Sequence, residues 1–114
     1  DEQIIDVGVR GIFLGNFVNW DGNKNFEVAQ KYGFKPNPVP FERTYRTMSN
    51  LDDRYENGIH DLMKYVKFGY GRTTDHASRD IRLGHLTRDQ GIELVRKYDS
   101  VVSRIYIIGW NTLA

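Results

Sequence analysis

Four cations stand close together in the middle of this chain: Lys67, Arg72, Arg79 and Arg82. Arg79 and Arg82 lie one turn apart on a helix, and Arg72 stands just before it. Gly69 and Gly71, spaced by Tyr70, make a turn in which backbone can come close to a ligand, and a hydroxyl-rich helix start follows. Free backbone N–H groups at that helix N-terminus add to the pull on an anion. Guanidinium groups recognise oxyanions through paired donors, Tyr70 is available to stack, and Asp75 and Asp80 can orient arginines or bind hydroxyls. Phosphate, a nucleotide or a sugar acid fits such a cradle. The same residues also read as ordinary helix salt-bridging, with Asp75 and Arg79 at i,i+4.

Other chemistries find less support. The chain has no cysteine, which removes disulfides, thiolate metal sites and a Cys nucleophile. His60, His76 and His85 are unpaired with one another or with carboxylates at zinc-site spacing, so no metal site is expected, and each reads as a surface or cap residue. Ser78 has no evident base for a hydrolase triad, and the Gly69-x-Gly71 pair follows a helix, unlike a dinucleotide fingerprint. The formal net charge is +1, yet residues 1–62 carry seven Lys/Arg against ten Asp/Glu while residues 63–99 carry eight against five, so the positive charge is local to the cradle. No apolar run approaches the roughly 20 residues of a spanning helix, so no membrane partner is expected and a cytoplasmic setting is the default.

The elements that must position these residues fall in order. The apolar run from Gly11 to Val18 predicts a strand covered on both faces. Asp21 then caps a helix that Gly33 ends, so Asn16, Trp20, Asp21 and Lys24 fall at the carboxyl end of a strand, where α/β sheets bind ligands. Each has a plainer role as well: Asp21 as a cap, Trp20 in packing, Lys24 as a solvated charge. Pro36, Pro38 and Pro40 force an extended connector, and a polar loop runs on to Asp53. From Arg54 a helical period returns, with Ile59, Leu62, Met63 and Val66 as a packed face ending near Phe68. Thr73 or Thr74 caps the next helix, with Ala77 and Ile81 inward and Gly84 at its end. Thr87 and Gln90 form a capping box for a helix to about Tyr98. The expected fold class is α/β: one or two N-terminal strands, then a mainly helical subdomain of three helices. The segments are 1–35 as the end of a nucleotide-binding sheet region, 36–53 as connector, 54–102 as the helical substrate-side subdomain and 103–114 as a tail.

The run from Lys67 to Arg82 resembles the C-terminal part of the N-acetyl sugar amidotransferases, whose pattern K-F-G-F/Y-G-R-x-T-D-x-A-S-x-D-I-R it follows almost position by position. Similarity extends from about Arg10 to Asp99, taking in the Arg10–Phe17 run, the following Trp20-Asp21 with Lys24, and Ser78–Asp99. The resemblance implies an enzyme like the PP-loop ATP pyrophosphatases, which uses ATP and Mg²⁺ to adenylate the oxygen of a sugar's acetamido group before ammonia displaces it to leave an acetamidino group. The substrates it implies are sugars or nucleotide sugars for bacterial surface glycans such as O-antigen, nonulosonic acids and flagellin glycans. It also implies a glutaminase and a barrel subunit as the ammonia source. By the same resemblance, Asn16, Trp20 and Lys24 border the nucleotide cleft. Lys67, Tyr70, Arg72, Thr73, Asp75, Arg79, Asp80 and Arg82 line the substrate side, and no general base is assigned.

The family's S-G-G-x-D-S phosphate loop is absent from these 114 residues. The expectation is therefore a C-terminal portion that does not turn over alone, with an exposed strand edge able to pair with a second copy. Residues from Ser103 onward depart from the family pattern. The alternative is a noncatalytic helical module binding anions or nucleic acid through the same arginines. A helix-turn-helix around Gly84-His85-Leu86 is disfavoured by Glu93 on the second helix and by the small net charge, so nucleic acid is not the expected partner.

Overall fold

The computed structural model describes residues 3, 6–8, 10–48 and 56–104. The chain divides into two compact units, Asp1–Gly33 and Phe34–Ala114.

In the first unit the run expected to be a strand is not one. Leu14–Asn16 forms a single 3-10 turn, closed by Asn16 N–H donating to Phe13 O at 3.0 Å and Phe17 N–H to Leu14 O at 2.9 Å. No strand is present among the described residues, so the α/β assignment with N-terminal strands is overturned: their regular elements are helical. A strand needs a neighbour for its N–H and C=O groups; without one, these backbone groups satisfy each other locally. The apolar side chains expected in a sheet interior are left outside, with Phe13 83 % exposed and Phe17 72 %. Helix α1 (Gly22–Lys31) does form, and Asn23 N–H donates to Asp21 Oδ1 at 2.9 Å as an N-cap. Gly33, at φ 93°, ends it in the left-handed region that favours glycine.

The second unit carries α2 (Glu56–Phe68), α3 (Arg72–Arg82) and α4 (Arg88–Tyr98), preceded by a folded-back loop. Asn37 N–H donates to Thr47 O at 2.9 Å and Phe41 N–H to Arg46 O at 3.1 Å, which closes the loop over residues 37–47. Of the polar loop expected to Asp53, residues 49–53 lie outside the described ones. Helices α3 and α4 pack against each other. Gly91 permits their approach, since a Cβ there would lie 2.7 Å from Ile81 Cδ1. Gly84, at φ 77°, closes α3: His85 N–H donates to Asp80 O at 2.8 Å and Gly84 N–H to Ile81 O at 3.1 Å. The Thr87–Gln90 capping box opens α4.

The packed interior is polar. Ala77 is the one fully buried hydrophobic side chain among the described residues, whereas Arg43, Thr44, Arg46, Asp61, Thr73, His76, Asp80 and Asp99 are all buried. Met63 and Val66, expected on a packed face of α2, are exposed. What holds α3 in place is Asp99, just past the end of α4. Its Oδ2 accepts from Gly71 N–H at 2.8 Å and from the Thr74 hydroxyl at 2.5 Å, and its Oδ1 accepts from Thr73 N–H at 2.9 Å. Neither threonine caps the helix from within, as the sequence suggested; the cap arrives from the far end of the next helix. Gly71 is required there, because a Cβ would stand 2.6 Å from Asp99 Oδ1.

An amide in place of this carboxylate presents N–H to N–H at Gly71 or Thr73 and strands a buried donor. Asp99→Asn is therefore expected to lower the unfolding free energy by about 2 kcal/mol in urea titration. Glu93→Gln, in an exposed pair with Arg96, should change it by less than about 0.5 kcal/mol. Equal effects would show that Asp99 is not the cap that matters.

Candidate functional site

Because α3 begins under Asp99 and packs Thr73, His76, Ala77 and Asp80 inward, its opposite side carries Arg72, Asp75, Ser78, Arg79 and Arg82 outward. Together with Tyr70, Thr74 and the nearly buried His76, these residues line an open basin of about 510 Å³. Three guanidinium groups and one carboxylate give it a positive field.

Two of its charged residues are held by partners. Arg72 Nε lies 3.2 Å from each carboxylate oxygen of buried Asp61, with Nη2 3.1 Å from Oδ1. Asp75 pairs with Lys64 of α2, not with Arg79 as the i,i+4 spacing suggested, and the Lys64 ammonium also sits 4.7 Å from the Tyr70 ring centroid. Arg79 and Arg82 are exposed and have no ion-pair partner among the described residues. Their donors are thus free for a ligand. Such donors suit phosphate or carboxylate oxygens, not a bare cation. No group of three His, Asp or Glu able to hold a metal is found among the described residues.

The remaining residues singled out from the sequence lie elsewhere. Lys67 is exposed on the last turn of α2, over the Phe68 ring and off the basin. Thr73 is buried, its hydroxyl donating to Arg43 O at 2.8 Å. Asp80 is buried with Arg46 at 2.5 Å and accepts the Tyr45 hydroxyl, so it faces inward. Burial of the Tyr45 phenol first, then its hydrogen bond to Asp80 and the charge of that carboxylate, push its pKa well up. Asn16, Trp20 and Lys24 are exposed residues of the first unit. The free N–H groups expected to draw an anion to the start of α3 are taken by Asp99.

Sequence reasoning missed the residues behind the basin. Arg43, wholly buried and at φ 61°, donates to the main-chain carbonyls of Asp99 and Val101. Burial lowers its pKa, with Asp99 opposing. His76 is 4 % exposed, and its Nδ1 lies 2.8 Å from Thr44 Oγ1. A signal for His76 was present, since it stands four residues after Arg72 and three before Arg79, spacings that make it a neighbour of both where the inward and outward sides meet. Its burial first, then Arg46 and Arg72, push its pKa down from 6.5 to about 4 against the pull of Asp80.

Comparison with known proteins gives the family of this polar-cored helical unit and its basic basin. Residues 41–107 match the family described as LPS biosynthesis protein WbpG-like, C-terminal domain, which is more than half of the chain. The chain belongs to that family and so to the proteins of LPS biosynthesis. The match takes in the whole basin and Arg43, Thr44, Arg46 and Asp99 behind it. It begins well after Arg10 and runs on into the first residues of the 103–114 tail, of which residues 105–114 lie outside the described ones. No curated protein matches the chain.

The depressed histidine gives stability a pH dependence of known sign. As pH falls below 6.5 the unfolded chain binds a proton that folded His76 refuses until about pH 4, so stability declines through that window. The urea midpoint is expected to drop between pH 6.5 and about pH 5, before most carboxylates titrate. In His76→Asn that part of the slope should vanish; an unchanged slope would mean that another group carries it.

Proposed function

We propose that this chain is the substrate-side, C-terminal portion of an ATP-dependent amidotransferase that converts an acetamido group of a surface-glycan sugar into an acetamidino group. The observation that supports this reading most is that the segment matching the LPS-biosynthesis family contains the entire arginine basin. In the reaction, the acetamido oxygen attacks the α-phosphorus of ATP and pyrophosphate leaves. Ammonia then adds to the activated carbon and AMP departs with that oxygen, leaving C=NH in place of C=O. Negative charge develops on phosphate oxygens in both steps, and fixed guanidinium donors such as Arg79 and Arg82 stabilise it without reorganisation. Arg72, braced by Asp61, orients the anion, and Tyr70 offers a flat apolar wall to a sugar or base.

On this reading ATP and Mg²⁺ are held together with residues outside the basin, ammonia comes from a glutaminase with its barrel subunit, and the reaction belongs to the cytoplasm, where ATP is available. No helix among the described residues is long and apolar enough to cross a membrane. O-antigen, nonulosonic acids and flagellin glycans are the product classes to examine.

Arg79→Ala with Arg82→Ala removes two exposed cations, so the thermal midpoint should hold while the dissociation constant for inorganic pyrophosphate rises tenfold or more, roughly the loss of one charge-assisted hydrogen bond. Unchanged affinity would remove the basin from the reading. In cells carrying the same pair of changes in the intact gene, mass spectrometry of surface glycans should find acetamido where the wild type has acetamidino. The 114-residue chain alone should produce no amidine from ATP, ammonia and an acetamido sugar; turnover by it would overturn the division of labour proposed here.

A further inference from the structure

We infer that His76 is a neutral hydrogen-bond donor of the basin, its tautomer set by Thr44 so that a protonated Nε2 is presented to a phosphate-type oxyanion held by the arginines. The inference rests on the reading of the basin as an anion site and adds to it a residue that carries no charge.

Thr44 is 2 % exposed, and its Oγ1 accepts from Arg46 N–H at 3.3 Å. The hydroxyl proton must still find an acceptor, since a buried donor left unpaired loses its hydration with nothing in exchange. Among the described residues, the acceptor in hydrogen-bond contact is His76 Nδ1, 2.8 Å away. A neutral imidazole has one N–H, so if Nδ1 accepts, the proton sits on Nε2. The Tyr45 ring meets the imidazole edge to face, 6.3 Å between centroids at 84°, which fixes the plane of the ring. His76 is among the residues that line the basin, with Arg72 and Arg79. With Nδ1 turned to Thr44, the nitrogen available to the basin is Nε2.

The surroundings keep the ring neutral. Burial first, then Arg46 from the loop and Arg72 and Arg79 from α3, act against a second proton, and Asp80, the carboxylate that favours one, is already engaged by Arg46 and the Tyr45 hydroxyl. A neutral donor differs in function from a cationic one. An exposed histidine would strengthen anion binding below its ordinary pKa of 6.5 and lose that contribution above it, whereas Nε2–H contributes equally on both sides.

Two measurements on the full chain test this. In ¹⁵N-histidine-labelled protein, multiple-bond NMR should show His76 with a bare Nδ1 and a protonated Nε2, unchanged between about pH 5.5 and 8, with the Nε2 signal shifting on addition of inorganic pyrophosphate. A proton on Nδ1, titration near pH 6.5, or an Nε2 signal indifferent to bound pyrophosphate overturns the proposal without needing a variant. By calorimetry, His76→Asn, which keeps a polar atom near Thr44 and withdraws the basin donor, should weaken pyrophosphate binding about tenfold. His76→Gln, whose amide nitrogen reaches the Nε2 position, should recover most of it, and wild-type affinity should be flat across pH 6 to 8 once corrected for the phosphate's own titration. Wild-type-like affinity in His76→Asn overturns the role of His76 alone, because Arg79→Ala still reports on the basin. Absence of saturable pyrophosphate binding by the wild type overturns the anion-site reading, and this inference with it.

Discussion

One carboxylate, that of Asp99, holds the second unit together. It sits where the first turn of α3 exposes backbone N–H groups, and it accepts from Gly71, Thr73 and the Thr74 hydroxyl. The main-chain carbonyls of Asp99 and Val101 in turn receive the buried guanidinium of Arg43. Arg43 anchors the loop carrying Thr44, Tyr45 and Arg46, and these reach His76 and Asp80 on the inner side of α3. Helix start, loop and histidine thus belong to one connected set of hydrogen bonds. Such a set has few alternative arrangements, because each buried polar group left unpaired costs as much as a good contact contributes.

A polar interior suits a basin whose outer side is cationic. Arg79 and Arg82 repel each other and the nearby Arg72, and that repulsion is tolerable because the inner side of the same helix is tied by Asp80 and Asp99. The cost of placing Asp80 and Arg46 away from water is met by their mutual contact and by Tyr45. Buried polar contacts and exposed cations in this way lie on different sides of an eleven-residue helix. Thr73 and Asp80 can be changed only at the expense of the fold, while the exposed Arg79 and Arg82 can be altered with little structural consequence.

Much of the second unit can be read directly from residue order. Gly84 as the end of α3, and Thr87 with Gln90 as the start of α4, are local devices whose chemistry depends on neighbours within four residues. The outward positions of Arg79 and Arg82 also follow from helical spacing. The apolar run at residues 11–18 was misread for the opposite reason: its pattern describes a strand inside a sheet, and a sheet is a relation to other chain segments that a local pattern does not contain. Met63 and Val66 fail likewise, because helical periodicity identifies an apolar side without saying what covers it.

What the sequence alone determined is therefore local: where the helices of the second unit start and stop, which cations share the outer side of α3, and a resemblance that the family match to residues 41–107 bears out. The tertiary structure decided the rest. It gave the start of α3 to Asp99 instead of to a ligand, turned Asp80 and Thr73 inward, paired Asp75 with Lys64, and brought Thr44 from 32 residues away to His76. Each of these outcomes depends on a contact between distant segments. Their partners are set by packing and by the cost of leaving buried polar groups unmatched, and no spacing along the chain encodes either.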